Sequence, residues 1–425
     1  MFAESGDDEQ IIERVAALDV GKAEIVCCIR LPAADGGRRV QEVSTHSTMV
    51  TSLCELANRL VGLGVERVVM EATSDYWRPP FYLFEAHGLD PWLVNAKDVK
   101  HLPGRPKTDR LDAVWLCKVA ERQMLRPSFV PPADIRQLRD LTRYRIDLVG
   151  VRTAEKNRVD KLLEDACLKL SVVASDIFGV SGRAMLAALI AGERNPTTLA
   201  DLARSRMRTK IGRLEEAFAG LRLGTFDDHH RFLLAQMLAR VEAVDLDLAA
   251  VDTQIGQHLA PFADAVARPD EIPGIGPIAA AIILAEIGLD MTRFPTPAHL
   301  ASWAKFAPGI NSSAGKTKGN GSTGHGNRYL ARVLGEAVAG AGRTDTFLGA
   351  RYRRIARRRG KNKAIVAVGR SLLVIIWHLL ADPDTRFHDL GADHYDHHVN
   401  THTKERNHIR QLEALGYRVT LEPAA

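Results

Sequence analysis

The run Val65–Glu71 (VERVVME) is short, mostly apolar and closes on an acid. Apolar strands of this kind are buried on both faces, which places them in the centre of a sheet covered by helices. Val15–Gly21 (VAALDVG) reads the same way up to Asp19, and Gly21 gives a tight turn into a second strand, Glu24–Leu31. Gln41–Thr48 is predicted as a third strand and Pro91–Val94 as a later one. Met49–Leu63 and about Arg78–His87 are predicted as helices. Strands alternating with helices define an α/β domain with a mixed sheet over residues 13–130. The proline-rich stretch Arg126–Pro132 closes it as a stiff linker.

Two long helices are expected next, Ala133 to about Leu170 and Asp227 to about Leu259. In the second, Leu234, Val241, Leu248 and Ile255 recur every seven residues, with Met237, Val244 and Val251 offset by three. That is a coiled-coil seam. A dimer or two antiparallel helices within one chain would each satisfy it. Residues 133–262 are therefore read as a helical, coiled-coil middle, with Ser171–Gly224 as small helices and loops. Residues 267–382 are read as an all-α domain with one long Gly/Ser/Asn-rich loop, Pro308–Asn327, and a buried helix, Ala364–Leu380. Residues 1–12 read as disordered. Residues 383–425 read as an exposed, mobile tail; six of the fifteen histidines fall between Phe387 and His408.

At 425 residues and 46% hydrophobic content, the chain has enough apolar material for these separate cores. Five cysteines without a C-x-x-C pattern read as reduced, buried thiols. The apolar runs fall short of the ~18 residues a bilayer span requires, and no signal-peptide pattern opens the chain. A cytoplasmic protein without a membrane partner is expected.

Four acids stand where chemistry would gather. Asp19 and Glu71 end strands, and strand ends at the carboxyl edge of an α/β sheet collect ligands. In Pro103–Ala113 (PGRPKTDRLDA), Thr108 is placed to cap a helix whose first turns hold Asp109 and Asp112, three apart. Alone, that pair is an ordinary acidic helix start. With Asp19 and Glu71 it is a candidate site for hard divalent ions such as Mg²⁺, able to grip a phosphodiester. The arrangement resembles the ribonuclease-H-like fold in its RuvC-type DEDD form. Leu18–Lys22 also resembles the first phosphate loop of actin-like ATPases, but the later Gly-rich phosphate loops of that fold are missing.

The second unusual stretch is Asn311–Gly321 (NSSAGKTKGNG). Its glycines allow close backbone approach to a phosphate, and Lys316, Lys318, Arg328 and Arg332 add positive charge. A serine there could attack phosphorus, or the loop could simply touch nucleic-acid backbone. Ile272–Pro277, with Gly274 and Gly276, resembles the turn of a helix-hairpin-helix element. Such a turn, like the basic run Arg351–Lys363 with Arg353, Arg354, Arg357 and Arg358, suits a polyanion.

Jointly, these residues resemble a known family, the insertion-sequence transposases with an N-terminal DEDD RuvC-like domain and a C-terminal serine domain. Members are described as bridge-RNA-guided recombinases. The matching motifs are Leu18-Asp19-Val20, Val69–Ala72, Lys107–Ala113, Pro273–Gly276, Ser313–Lys316 and Gly326-Asn327-Arg328. The resemblance implies metal binding by Asp19, Glu71, Asp109 and Asp112 and catalysis by these acids with Ser313, although Ser312 stands beside it. It further implies donor and target DNA, a guide RNA, and a homo-oligomer in which dimers assemble into a tetramer. A hydrolytic RuvC-like junction nuclease using only the acids is the alternative.

Overall fold

The computed structural model describes residues 11–33, 38–71, 74–95, 108–309, 311–313, 316–318, 323–397 and 401–421. The chain forms two compact units, divided between Val130 and Pro131.

The first unit is a five-stranded sheet with its helices. Strands β1 (Val15–Val20), β2 (Glu24–Leu31), β3 (Val40–Ser47), β4 (Arg67–Glu71) and β5 (Pro91–Val94) lie in the order β3-β2-β1-β4-β5. β1–β2 and β2–β3 are antiparallel, whereas β1–β4 and β4–β5 are parallel. This mixed order fits the ribonuclease-H-like expectation. The two-residue period divides the central strands cleanly. Ala16, Leu18, Val20, Val68 and Met70 pack with Leu53, Leu56 and Leu60 of α1 (Val50–Gly62) and with Phe81 and Phe84 of α2 (Arg78–Ala86). Val15, Ala17 and Val69 pack with Ala113, Leu116, Cys117 and Ala120 of α3 (Asp109–Glu121) on the opposite face. Thr108 caps α3 as expected, its hydroxyl accepting from Leu111 N at 3.3 Å. At the other end of α3, the buried Glu121 accepts from Arg30 Nε at 2.5 Å.

The second unit is built on two long antiparallel helices, α4 (Ala133–Asp165) and α9 (Asp228–Leu259). Leu138 meets Ile255, and Leu148 meets Val244 and Leu248. Arg145–Asp252 and Arg152–Asp245 form ion-pair rungs seven residues apart on both helices. The heptad seam is thus consumed within one chain, so the intrachain hairpin is what forms and the seam is no evidence for a dimer.

Between the two helices, α5 (Leu170–Val173), α6 (Val180–Ala191), α7 (Pro196–Asp201), a 3-10 turn (Ser205–Lys210), α8 (Ile211–Ala217) and a second 3-10 turn (Ala219–Leu223) make a lobe. The lobe has its own core, including Met185, Leu186, Leu199, Leu214 and Phe218, closed by Val159 and Leu163 of α4 and Leu234 of α9. It therefore caps one end of the helical stalk.

At the other end lies a helical core of α10 (Ala263–Asp270), α11 (Pro277–Ile287), α12 (Pro297–Trp303), α13 (Arg328–Ala341), α14 (Phe347–Arg359) and α15 (Lys361–Ala381). Ala281 and Ala285 of α11 pack on Leu138 of α4. Three expectations are corrected in this unit, and one that concerns both. Part of the long loop is a two-stranded antiparallel ribbon, β6 (Asn311–Ser313) with β7 (Lys316–Lys318), so the region is not purely α. α15, at 21 residues, is long and apolar enough to cross a membrane, because it extends the apolar run at both ends. Its Val368, Leu372, Leu373 and Ile376 are nevertheless wholly buried in the protein core. The start of the tail docks rather than hanging free: Asp389 accepts from Phe347 N at 3.0 Å, and Tyr395 stacks on Phe347. Past this docked segment, α16 (His394–His397) and α17 (Thr401–Ala414) follow. Finally, Cys27, Cys28 and Cys117 are buried as expected, but Cys54 is half-buried and Cys167 is exposed. Burial pushes the Cys27 thiol up, which keeps it protonated.

Candidate active site

The acidic site is assembled by register. β1 and β4 run parallel with Leu18 opposite Met70, so the next position on each strand, Asp19 and Glu71, lies at the same carboxyl edge. The period of two puts Asp19 on the face of Val15 and Ala17, and Glu71 on the face of Val69, which is the face α3 covers.

α3 runs antiparallel to β1. Its last residue, Glu121, accepts from Ile12 N just before β1, and Cys117 Sγ donates to Val15 O at 3.6 Å. From Val15 the strand rises about 13 Å to Asp19. From Cys117 back to Asp109 the helix spans about 12 Å. The first turn of α3, with Asp109 and Asp112, therefore lies toward the carboxyl end of β1. Asp112 precedes Leu116 by four residues and so extends the buried stripe of α3 toward the sheet edge, while Asp109 starts the helix. Asp19, Glu71 and Asp112 are half-buried and Asp109 is exposed.

All donors are carboxylate oxygens, the chemistry a hard divalent cation requires. Among the described residues, no three His, Cys, Asp or Glu side chains stand close enough to hold an ion. The donor set fits Mg²⁺, and the fold brings the acids to one edge without closing them into a cage. Residues 103–107 of the predicted Pro103–Ala113 stretch lie outside the described residues.

In the second unit, β6 and β7 pair Asn311 with Lys318, Ser312 with Thr317 and Ser313 with Lys316. Ala314, Gly315, Gly319 and Gly321 lie outside the described residues. Register alone separates the two serines: Ser313 is opposite a lysine and Ser312 opposite a threonine.

The returning chain is latched by a buried network that joins the expected residue Asn327 to three that were not expected, Glu286, Arg143 and Arg139. Asn327 caps α13, its Oδ1 accepting from Tyr329 N at 3.0 Å and Leu330 N at 3.2 Å, while its Nδ2 donates to Glu286. Glu286 is 0% exposed and accepts from Arg143 through both oxygens, at 2.7 and 2.8 Å. Arg139 donates to the Ala285 and Glu286 carbonyls. Burial opposes the Arg143 charge, but its hydrogen bonds and attraction to Glu286 outweigh that and hold its pKa above the usual value. Tyr329 lies between Arg143 and Arg328, each guanidinium 4.7 Å from the ring centre. The signal for Glu286 was an acid inside the apolar run PIAAAIILAEI, where a buried carboxylate demands partners.

The expected nucleic-acid contacts sort unequally. Both ends of the Asn327 amide are engaged in the latch, which leaves Arg328 as the exposed member of that pair. Gly274 has φ +94°, and a Cβ there would lie 2.2 Å from Ala337 O, so packing on α13 requires this glycine. Gly276 precedes Pro277 as the N-cap of α11. Arg353, Arg354, Arg357 and Arg358 line one wall of a cleft of about 310 Å³, with Tyr395 on the other side. Arg354 lies over the Tyr395 ring at 4.3 Å, and Arg351 donates to its hydroxyl.

Two family profiles match these units. One, described as a transposase of the DEDD IS110 type, covers residues 16–168; the other, described as "Transposase IS116/IS110/IS902 family", covers residues 268–353. By class the chain is a transposase. It carries both domains of the IS110/IS116 family. Similar proteins include the "Insertion element IS110 uncharacterized 43.6 kDa protein" of Streptomyces coelicolor, 27% identical over 69% of this chain and 75% of that one. The "Transposase for insertion sequence element IS1111A" of Coxiella burnetii is 25% identical over 78% of this chain and 82% of its own length.

Proposed function

We propose that the protein cuts and rejoins DNA strands of an insertion sequence, with Ser313 as nucleophile and Asp19, Glu71, Asp109 and Asp112 as the metal-holding acids. The observation that supports this reading is that Asp19 and Glu71 end paired parallel strands at one carboxyl edge, with α3 running antiparallel to β1 so that its first turn, holding Asp109 and Asp112, lies toward that edge.

In the reaction, Ser313 Oγ attacks a backbone phosphorus and a P–O bond to the neighbouring deoxyribose breaks. The serine proton ends on the departing deoxyribose hydroxyl, and the strand is held as a phosphoserine ester. Attack by a hydroxyl of another strand reverses these steps, so joining requires no nucleotide cofactor. Mg²⁺ held by the acids would supply charge stabilisation at the phosphate. Lys316, opposite Ser313, and the exposed Arg328 are suited to orienting the phosphate. The guide RNA and the assembly of several copies come from the family resemblance. Assembly would have to use surfaces other than the buried heptad seam.

The test is to incubate protein, Mg²⁺, flanking-element RNA and labelled donor and target DNA, then quench in denaturant. Protein-linked DNA should form, and should vanish in Ser313→Ala and in Asp19→Ala. Nicked strands without an adduct, unchanged in Ser313→Ala, would establish a hydrolytic nuclease instead.

A further inference from the structure

The lobe at the end of the stalk carries a basic segment that the reading above leaves unused. Between Arg204 and Arg213, five of ten residues are Arg or Lys and none is acidic. Arg204, Arg206, Arg208 and Arg213 are exposed. Among the described residues, none of these four sits in an ion pair. Elsewhere on the same unit, Arg145, Arg152, Arg158, Arg183 and Arg240 are all paired with Asp245, Asp252 or Glu155. These stalk arginines are thus paired, whereas the four on this turn are not.

The turn is also held in shape. Ser205 has φ +46°, a conformation that costs an L-residue on the order of 1–3 kcal/mol and persists only when its surroundings enforce it. Arg204 N donates to Ser181 Oγ at 2.8 Å, and Lys210 Nζ donates to Val173 O at 2.9 Å, so both ends of the turn are fastened to the lobe. The lobe core is anchored at Leu163, twenty residues along α4 from Arg143, which holds Glu286 of the latch at Asn327. Twenty helical residues span about 30 Å, close to the ~34 Å of one B-DNA turn.

We infer that the Arg204–Arg213 turn is a second phosphate-binding surface, taking the backbone of duplex DNA about one helical turn along the stalk from DNA held at the latch end, where Arg328 is exposed. This rests on the proposed action on DNA. Fixed, unpaired arginines suit sequence-neutral phosphate contacts, which position a duplex without reading it.

The experiment compares the full chain with an Arg204→Ala/Arg206→Ala/Arg213→Ala variant, and with Arg206→Glu in case the triple variant does not fold. Binding is measured against salt on duplexes centred on the cleavage site, about 30 bp (reaching ~50 Å to either side) and about 12 bp (reaching ~20 Å). With three phosphates no longer neutralised by arginine, the slope of log K against log salt on the long duplex should shrink by about 2.7. Kd there should rise at least about tenfold at 0.1 M salt, with the thermal transition unchanged. Arg206→Glu should weaken the long duplex in the same direction, and the short duplex should show no change with either variant. Equal binding of variant and wild type to the long duplex would overturn the inference, as would an equal loss on the short one. Loss confined to a folded RNA would overturn DNA as the occupant. A wild type that binds neither duplex would instead sink the DNA reading itself.

Discussion

Replacing Glu286 by alanine would remove the one buried carboxylate that joins α4, α11 and the start of α13. Arg143 would lose a bidentate partner at 2.7 and 2.8 Å, Arg139 would lose a carboxylate 3.5 Å away, and Asn327 would lose its acceptor. Removing one member of a buried ion pair costs about 3–5 kcal/mol, because the remaining charges stay desolvated and unpaired. For a unit of this size that is a fall in Tm of about 10 °C. Glu286→Gln keeps the shape and most hydrogen bonds and should cost about 1–3 kcal/mol. The assay is thermal unfolding with hydrogen-exchange mass spectrometry. In Glu286→Ala, amides of α11 and the first turn of α13 should exchange faster, while those of the sheet in the first unit should not. An Ala variant that melts with the wild type and keeps its protection at Leu330 would refute the latch.

Two further outcomes follow from other parts of the second unit. Gly274→Ala places a Cβ 2.2 Å from Ala337 O at φ +94°, and should destabilise this unit by about 2–4 kcal/mol in a denaturant titration, from strain plus overpacking. Burial disfavours the Asp245 charge, but hydrogen bonds from Arg152 and Arg183 outweigh it and hold the pKa below the usual carboxylate range. A depressed folded pKa gives stability that is present above the unfolded value of about 3.9 and is lost as pH falls through the folded one. Asp245→Asn should therefore be less stable than wild type at pH 7, with the difference shrinking below about pH 4 in acid titrations followed by circular dichroism.

Much of this molecule was legible because its signals are local. Val15–Val20 and Arg67–Glu71 carry the apolar pattern of strands covered on both faces, and Thr108 shows its capping role three residues ahead of Leu111. The heptads of Asp228–Leu259 revealed the seam but not its partner, since a seven-residue repeat is satisfied equally by another copy or by α4. The Asn311–Lys318 ribbon was hidden by its asparagine, two serines and one glycine, which have weak strand propensity. The tail looked mobile because polar composition does not reveal that Tyr395 finds Phe347.

Local pattern was enough to show the strands and helices of the first unit, the two long helices, their buried faces, and that four acids fall at element ends. Those features follow from periodicity and capping within a few residues. Tertiary structure decided which acids share an edge, because only the β1–β4 register sets Asp19 beside Glu71, and only the antiparallel run of α3 turns Asp109 and Asp112 toward that end of the sheet. It also decided that Glu286 binds Arg143, 143 residues away. A buried charge announces that it needs a partner, but which distant side chain answers is fixed only by how the helices pack.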